Sequence, residues 1–471
     1  MRILHVIAGA EIGGAETFAR DAIAGLAGRG VAQMVVCRPW PAAVERFTAA
    51  GITIEKLRFS LFDRVGGAPA RIRGLARSFG ADLVHAWMSR AASFVPGDMP
   101  CPVIGWFGDT DKLKYYGAAD ACIGVTPDIV SWTLRNGVAP HRAFLVNTFG
   151  TMPDCKPVTR GELGVPEAAP MLLVLSRMHR VKGIDTILQA LTEVPDAFLC
   201  IAGDGPSRAE YEQLSARLGL ADRVRFLGWR DDRKALLEIC DICVLPSRYE
   251  PFGTVILEAW AAQRPLVTTR ADGARQYVDD GETGLVCPID DPPSLAACLR
   301  RLVGGDTALR DRLVANGYRR YVSGFTQDRV LDRMLEVYGM IRDLGPRDRD
   351  VTVPAGTLDR TAVGRLAGGL AAVVPQEARG RVAAAATVAQ AYSAADPEAA
   401  VAAALMQLSG RGSLLRVSGG GVRVVLLPAG QLARAAAENP VSAGDGSYAG
   451  AADTLRAAIA YSSTRTNRPS H

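Results

Sequence analysis

Two carboxylates and two cations hold the chemistry this sequence offers. Glu250 lies in Glu250-Pro251-Phe252-Gly253-Thr254-Val255, and Glu258 follows with seven residues between them, inside Val255-Ile256-Leu257-Glu258-Ala259-Trp260. A charge in so apolar a run is costly unless something pairs with it, and no basic residue stands one helical turn away on either side. Either a stabilising partner from elsewhere in the chain or a polar ligand must meet that need. Gly253 and Thr254 stand where a helix begins, so the amides of Gly253, Thr254 and Val255 point forward unpaired. Such a terminus attracts anions, phosphate above all. A ligand carrying hydroxyls and phosphate satisfies the whole stretch. Upstream, Leu175-Ser176-Arg177-Met178-His179-Arg180-Val181-Lys182-Gly183 sets Arg177 and Lys182 between a buried strand and a helix opening near Gly183. A planar guanidinium fork beside a point charge suits a diphosphate. Taken alone, the segment reads equally well as an exposed basic loop.

Strand-to-helix turns must position these groups. Ile242-Cys243-Val244-Leu245, closed by Pro246, is a buried strand ahead of Glu250. It belongs to a series of strands expected over 171–176, 198–202, 224–227, 242–245, 265–268 and 285–287, alternating with helices. An earlier series runs over 2–8, 34–37, 52–57, 82–87, 102–107, 121–125 and 143–146, with helices including 16–26, 70–79 and 128–136. Alternation of this kind makes parallel sheets covered on both faces. The expectation is therefore α/β: two doubly wound, Rossmann-like domains whose carboxyl-end crevices face one another across a cleft. The boundaries expected are 1–155 for the first domain, 156–325 for the second, 326–345 for a closing helix and 346–471 for an extension rich in Ala and Gly. In that extension 383–408 favours helix, 422–427 suits one strand, and 462–471 reads as disordered.

Composition bounds the function. The chain has 471 residues, 48% hydrophobic and 22% charged, as ordinary globular proteins do. A net charge of +5 is small for this length and gives no reason to expect a nucleic-acid partner. Nine cysteines, an odd number without framework spacing, point to a reducing compartment. Cys240-Asp241-Ile242-Cys243 has the CxxC spacing, but it leads into a buried strand and reads as core thiols. The first residues run directly into a strand, and no uncharged apolar run of spanning length appears, so a cytoplasmic protein is expected, at most peripheral on the inner face of the membrane.

Other turns carry weaker chemical signals. Gly9-Ala10-Glu11-Ile12-Gly13-Gly14-Ala15-Glu16 is a glycine-rich turn, but its spacing is not that of a dinucleotide fingerprint. The next strand ends at Arg38 rather than an acid, which leaves only an NADP 2′-phosphate as a dehydrogenase reading. Gly203-Asp204-Gly205-Pro206 is a tight turn in which Asp204 reads as a cap. Phe226-Leu227-Gly228-Trp229 ends a strand at the same sheet edge and offers backbone on which a flat base can lie. Asp109-Thr110-Asp111 looks like a metal-binding acidic triplet, yet Asp348-Arg349-Asp350 is another, and such triplets are common.

Together these motifs resemble the family 4 retaining glycosyltransferases of the GT-B fold, over about residues 1–343. Glu250 and Glu258 match that family's paired glutamates, Arg177 with Lys182-Gly183 its basic pair, and Gly13-Gly14-Ala15-Glu16 its first-domain glycine turn. Gly203-Asp204-Gly205-Pro206, Phe226-Leu227-Gly228, Asp272-Gly273 and Asp280-Gly281-Glu282-Thr283-Gly284-Leu285 fall in family order. The resemblance implies that Arg177 and Lys182 hold the diphosphate of a nucleotide sugar and that Glu258 binds its ribose. It places Glu250 against the transferred sugar, with Gly13, Gly14, Gly228, Gly253, Thr254 and Val255 completing the substrate contacts. It implies retention of configuration with no cofactor and no obligatory metal. His85 stands where the family often has histidine, and a structural histidine is an equal alternative there. Where many members carry a histidine after the fifth strand, this chain has Gly108.

The acceptor falls to the first domain. Lys56, Arg58, Arg64, Arg71, Arg73 and Arg77 interleave with Leu57, Phe59, Leu61, Phe62, Ile72 and Phe79, against the single acid Asp63. That mixture suits a lipid-linked acceptor or an anionic membrane surface, and equally a solvated helix face with core-facing apolar residues. The function expected is transfer of a sugar from a nucleotide-diphosphate sugar to an envelope glycan or glycolipid, of the lipopolysaccharide or exopolysaccharide type. The alternatives are a sugar-nucleotide epimerase and a catalytically silent sugar-nucleotide-binding protein.

Overall fold

Long apolar runs with no polar alternation become strands buried on both faces, which only a parallel sheet flanked by helices can provide. A computed structural model describes residues 1–346 except 12, 61, 64, 65, 111 and 112, together with 414–418 and 421–425. The helix expected over 383–408, the chain end 462–471, the triplet Asp348-Arg349-Asp350, and Leu61, Arg64 and Asp111 lie outside the described residues.

The described chain divides into two compact units. Unit 1 contains Met1–Val146 and the described residues from Arg333 onward. Its seven strands are β1 (Arg2–Ile7), β2 (Ala32–Cys37), β3 (Thr53–Lys56), β4 (Leu83–Trp87), β5 (Val103–Phe107), β6 (Ala121–Gly124) and β7 (Ala143–Leu145). They form one parallel sheet in the order β3-β2-β1-β4-β5-β6-β7. Its large buried side chains include Trp87, Trp106, Phe47 and Phe107.

Unit 2 is Asn147–Asp332. Its strands are β8 (Met171–Leu175), β9 (Phe198–Ala202), β10 (Val224–Gly228), β11 (Ile242–Leu245), β12 (Leu266–Thr269) and β13 (Leu285–Cys287). Six parallel strands run in the order β10-β9-β8-β11-β12-β13. One apolar cluster, from Leu172 and Val174 to Leu309 and Leu313, packs its helices onto the sheet.

Unit 2 begins at Asn147, ahead of the boundary expected from composition. The reason is hydrogen bonding. Thr151 O accepts from Arg233 at 3.3 Å, and Asp154, also ahead of that boundary, pairs with Lys234. The long helix Gln327–Leu344 starts in unit 2 and ends in unit 1. In the tail, β14 (Leu414–Ser418) pairs antiparallel with β15 (Gly421–Val425), so the strand expected over 422–427 is half of a two-stranded ladder.

Several helix starts follow local rules. Thr126 Oγ1 accepts from the amide of Ile129, Asp291 from that of Ser294 and Asp306 from that of Leu309, each an N-cap. The helix Thr254–Ala261 begins on Gly253, which has no side chain to cap it.

Candidate functional site

In a doubly wound sheet the ligand crevice opens where the strand order reverses, at the carboxyl ends of the strands. In unit 2 that point lies between β8 and β11. The loop after β8 carries Arg177 and Lys182, and the loop after β11 carries Glu250. They meet: Lys182 Nζ lies 2.6 Å from Glu250 Oε2, with both side chains mostly buried. Ser247 Oγ donates to the same oxygen at 3.4 Å.

Two glycines allow this approach. Gly183 has φ 63°, and a Cβ there would lie 2.0 Å from the carbonyl oxygen of Pro246, so the Lys182 loop can lie on the Glu250 loop only without a side chain. On the other side the Gly273 amide donates to Glu250 O at 2.7 Å, and a Cβ on Gly273 would lie 1.9 Å from Phe252 O. Arg248 clamps the base of the arrangement, taking both oxygens of Asp185 at 2.8 and 2.6 Å and Asp290 at 2.6 Å.

Glu258 is the buried member. It is 2% exposed, in the first turns of the helix that starts at Thr254. Its Oε1 accepts from Arg233 Nη1 at 2.7 Å, and Arg233 Nη2 also donates to Thr151 O at 3.3 Å. The partner absent from its own helix therefore arrives from a neighbouring one, Arg233–Ile239. Sequence reasoning missed Arg233, whose signal is faint: a basic residue opening the helix that precedes β11. The pair leaves Glu258 half satisfied, because Oε2 is buried with no hydrogen-bond partner among the described residues. Burial raises the Glu258 pKa, and the charge of Arg233 opposes that rise. A buried carboxylate with one open oxygen, one turn from an uncapped helix start, is built to accept hydroxyl donors.

Arg177, at the same edge, is exposed with no ion-pair partner among the described residues. Gly228 ends β10 with φ 69°, its carbonyl accepting from the Gly203 amide at 2.7 Å, and Trp229 beyond it is 59% exposed. Asp204 accepts from the Gly205 amide at 2.7 Å and from Arg208 at 3.1 Å, the turn-and-cap role expected. Within unit 2 the structure thus brings Lys182, Glu250 and Gly253–Val255 to one edge, with Glu258 behind them.

In unit 1, Gly13 and Gly14 open the helix Gly14–Leu26. The Glu16 carboxylate folds back over their loop and accepts from the Ala10 amide at 3.1 Å. His85 requires a correction. It is fully buried inside β4, stacked on Trp87 at 4.1 Å, with Nδ1 2.6 Å from the hydroxyl of Tyr338. Burial, with His5 second, drives its pKa well below the usual value. A neutral ring sealed in this core fills the structural role that stood as the alternative to catalysis. Gly108 is glycine for a local reason: a Cβ there would lie 2.7 Å from the Trp106 ring. The indole occupies the space a longer side chain would use.

Among the described residues no group of His, Cys, Asp and Glu could hold a metal ion. Cys240 and Cys243 are buried, the former with its pKa pushed up to about 12 by burial. The basic stretch of unit 1 is less unbalanced than its sequence implied, since Arg71 pairs with Glu55 and Arg73 with Asp98. The helix Ala68–Phe79 buries Ala68, Ile72 and Ala76, and the apolar Phe62 is 89% exposed. No described helix is long and apolar enough to cross a membrane.

The family model described as "Glycosyl transferases group 1" matches residues 156–320, the span holding Arg177, Lys182, Glu250 and Glu258. The chain is 33% identical over 341 residues to "Lipopolysaccharide core biosynthesis glycosyltransferase LpsE" of Rhizobium meliloti (strain 1021), covering 72% of this chain and 98% of that one. It is 32% identical over 346 residues to LpsD of the same organism, with the same coverage of each. Among solved structures, Anabaena Alr3699/HepE in complex with UDP and glucose matches with a TM-score of 0.61 at 20% identity, over 72% of this chain and 99% of that one. Its likeness is one of fold: two parallel-sheet α/β domains of the GT-B type.

Proposed function

The chain belongs to the glycosyl transferases group 1, and from that premise we propose that it moves a sugar from a nucleotide-diphosphate sugar to an envelope glycan or glycolipid. The observation that carries the donor reading is the buried Glu258, whose Oε2 stands unpartnered beside the uncapped start of the helix Thr254–Ala261. Ribose hydroxyls donate to that oxygen. The diphosphate takes the amides of Gly253–Val255 together with Lys182 and Arg177. Glu250, beside Lys182, faces the sugar. The bond from the anomeric carbon to the diphosphate breaks as the acceptor hydroxyl oxygen bonds to the same carbon with retention, its proton passing to the departing diphosphate oxygen. The two cations and the helix terminus stabilise the departing charge without a metal. HepE was crystallised with UDP, which supports a nucleotide of that kind as donor. The lipopolysaccharide core relatives support an envelope acceptor. A cytoplasmic location, with peripheral contact through the basic face of unit 1, completes the reading.

Thermal-shift titration with UDP-, GDP- and ADP-sugars tests it, since a ligand that binds only the folded state raises apparent stability. One nucleotide class is expected to shift the transition. Lys182→Ala is expected to lower sugar-nucleotide turnover by about a hundredfold or more, the scale of losing one preorganised charge donor. Turnover unchanged in both Lys182→Ala and Glu250→Ala would sink the assignment.

A further inference from the structure

Unit 1 holds a cavity of about 670 Å³ lined by Arg38, Phe59, Ser60, Ser89, Arg90, Ser93, Phe94 and Tyr115. These residues come from the loops after β2, β3, β4 and β5, the carboxyl edge at which such sheets bind ligands. The volume suits one or two sugar rings.

Its lining has two sides of different chemistry. One is cationic: neither Arg38 nor Arg90 has an ion-pair partner among the described residues. Arg38 is pinned, donating from Nε to the carbonyl of Arg58 at 3.0 Å and lying over the Trp40 ring at 6.0 Å. Its pKa is lowered by partial burial and then by the charge of Arg90. The two guanidiniums therefore repel one another, and Asp63, which accepts from the amide and hydroxyl of the lining residue Ser60 at 2.8 Å, forms no ion pair with either. Lys114, over the Tyr115 ring at 5.3 Å, adds a third positive charge beside this lining. The other side is aromatic: Phe59 and Phe94, packed edge to face at 5.2 Å, are nearly buried, and the Tyr115 ring beside them is 38% exposed. The backbone here is strained. Phe59 has φ 55°, and Met88, next to Ser89, has φ 65°. Bulky residues pay for that conformation, and it persists at sites where surrounding structure demands it.

We propose that this cavity is an acceptor subsite for a saccharide bearing an anionic group, phosphate or carboxylate, gripped by Arg38 and Arg90 with the sugar ring against the aromatic side. That the occupant is the acceptor rests on the proposed transferase function; that the cavity binds a sugar-sized anion does not. The anion supplies a counter-charge to both guanidiniums, and a guanidinium fork takes such a group bidentately.

The test is calorimetric titration of the full chain with inorganic phosphate and, separately, with acetate, both in saturating UDP so that the unit 2 cations are occupied. Arg38→Met and Arg90→Met are compared with wild type and with Arg217→Met, which removes an exposed cation from unit 2. Phosphate binding is expected to weaken by about tenfold or more in each cavity variant and to stay unchanged in Arg217→Met. Arg90 is exposed, so its variant keeps the measurement open should Arg38→Met fold poorly. Acetate binding with the same variant dependence identifies a carboxylate sugar, and phosphate binding alone a phosphorylated one; both support the subsite. Equal affinity in wild type and both cavity variants overturns it, as does equal loss in Arg217→Met. Should UDP itself fail to bind, the donor reading falls. The phosphate comparison, repeated in Lys182→Ala, still decides the cavity.

Discussion

Replacing Arg233 with methionine tests the energetics of the buried carboxylate. The substitution keeps the aliphatic stem and removes the guanidinium that reaches Glu258 Oε1 at 2.7 Å. Breaking a fully buried ion pair costs about 3–5 kcal/mol. Here the Arg233 side chain is 36% exposed while that of Glu258 is 2% exposed, so water enters on one side and about 2 kcal/mol is expected. The pH dependence identifies the cause. Burial raises the folded-state pKa of Glu258 above 4.5, so between the unfolded and folded values the native chain binds more protons than the unfolded one. Stability therefore falls as pH rises through that window, and the loss is complete above the folded pKa. Without Arg233 the folded pKa rises further, which widens the window upward and deepens the loss. Urea unfolding of wild type and Arg233→Met at about pH 5 and about pH 8 should show a stability difference that grows with pH, other titrations cancelling between the two chains. Adding Glu258→Gln to Arg233→Met should flatten the dependence. A difference independent of pH, or one that Glu258→Gln leaves in place, refutes the reasoning.

Three further outcomes follow from packing. Gly183→Ala should cost more than about 1 kcal/mol and lower turnover sharply, because Pro246 O blocks the new methyl; Gly281→Ala, at φ 75° in open space, should cost about 1 kcal/mol and leave turnover intact, as urea midpoints and initial rates would report. Tyr338→Phe strips His85 Nδ1 of its buried partner and should cost about 1–3 kcal/mol while leaving UDP affinity by calorimetry unchanged. Among the nine thiols, Cys155 is half-buried in a stretch without helix or strand, and should take maleimide first, with Cys240 and Cys243, whose thiols burial pushes up in pKa, silent until unfolding, as mass spectrometry would resolve.

The strands were legible because Ile242-Cys243-Val244-Leu245 and Met171-Leu172-Leu173-Val174-Leu175 leave no polar face, and only burial on both sides tolerates that. The meeting of Lys182 with Glu250 was legible in outline, since strand order sends both loops to one edge. What stayed hidden depends on residues distant in sequence. Arg233 answers Glu258 from another helix, and Glu55 and Asp98 answer Arg71 and Arg73 from outside the basic stretch. Residue type alone could not show that Gly183 and Gly273 are sites of backbone contact. His85 has the right type in the right strand, and only the packing of Trp87 and Tyr338 shows the ring to be enclosed in its middle. The Arg38 and Arg90 cavity is assembled from the segments after four separate strands, and no one motif joins them.

The contact between Lys182 and Glu250 has a consequence for the end of the catalytic cycle. Glu250 is the counter-ion of Lys182, so on the proposed reading a diphosphate arriving there replaces one anion with another instead of meeting a bare cation. The lysine loses little hydration in the exchange, and donor affinity is moderated by the carboxylate it displaces. After transfer the same competition runs in reverse. The spent nucleotide leaves a cation that an adjacent carboxylate is ready to reclaim, which favours product release over product inhibition.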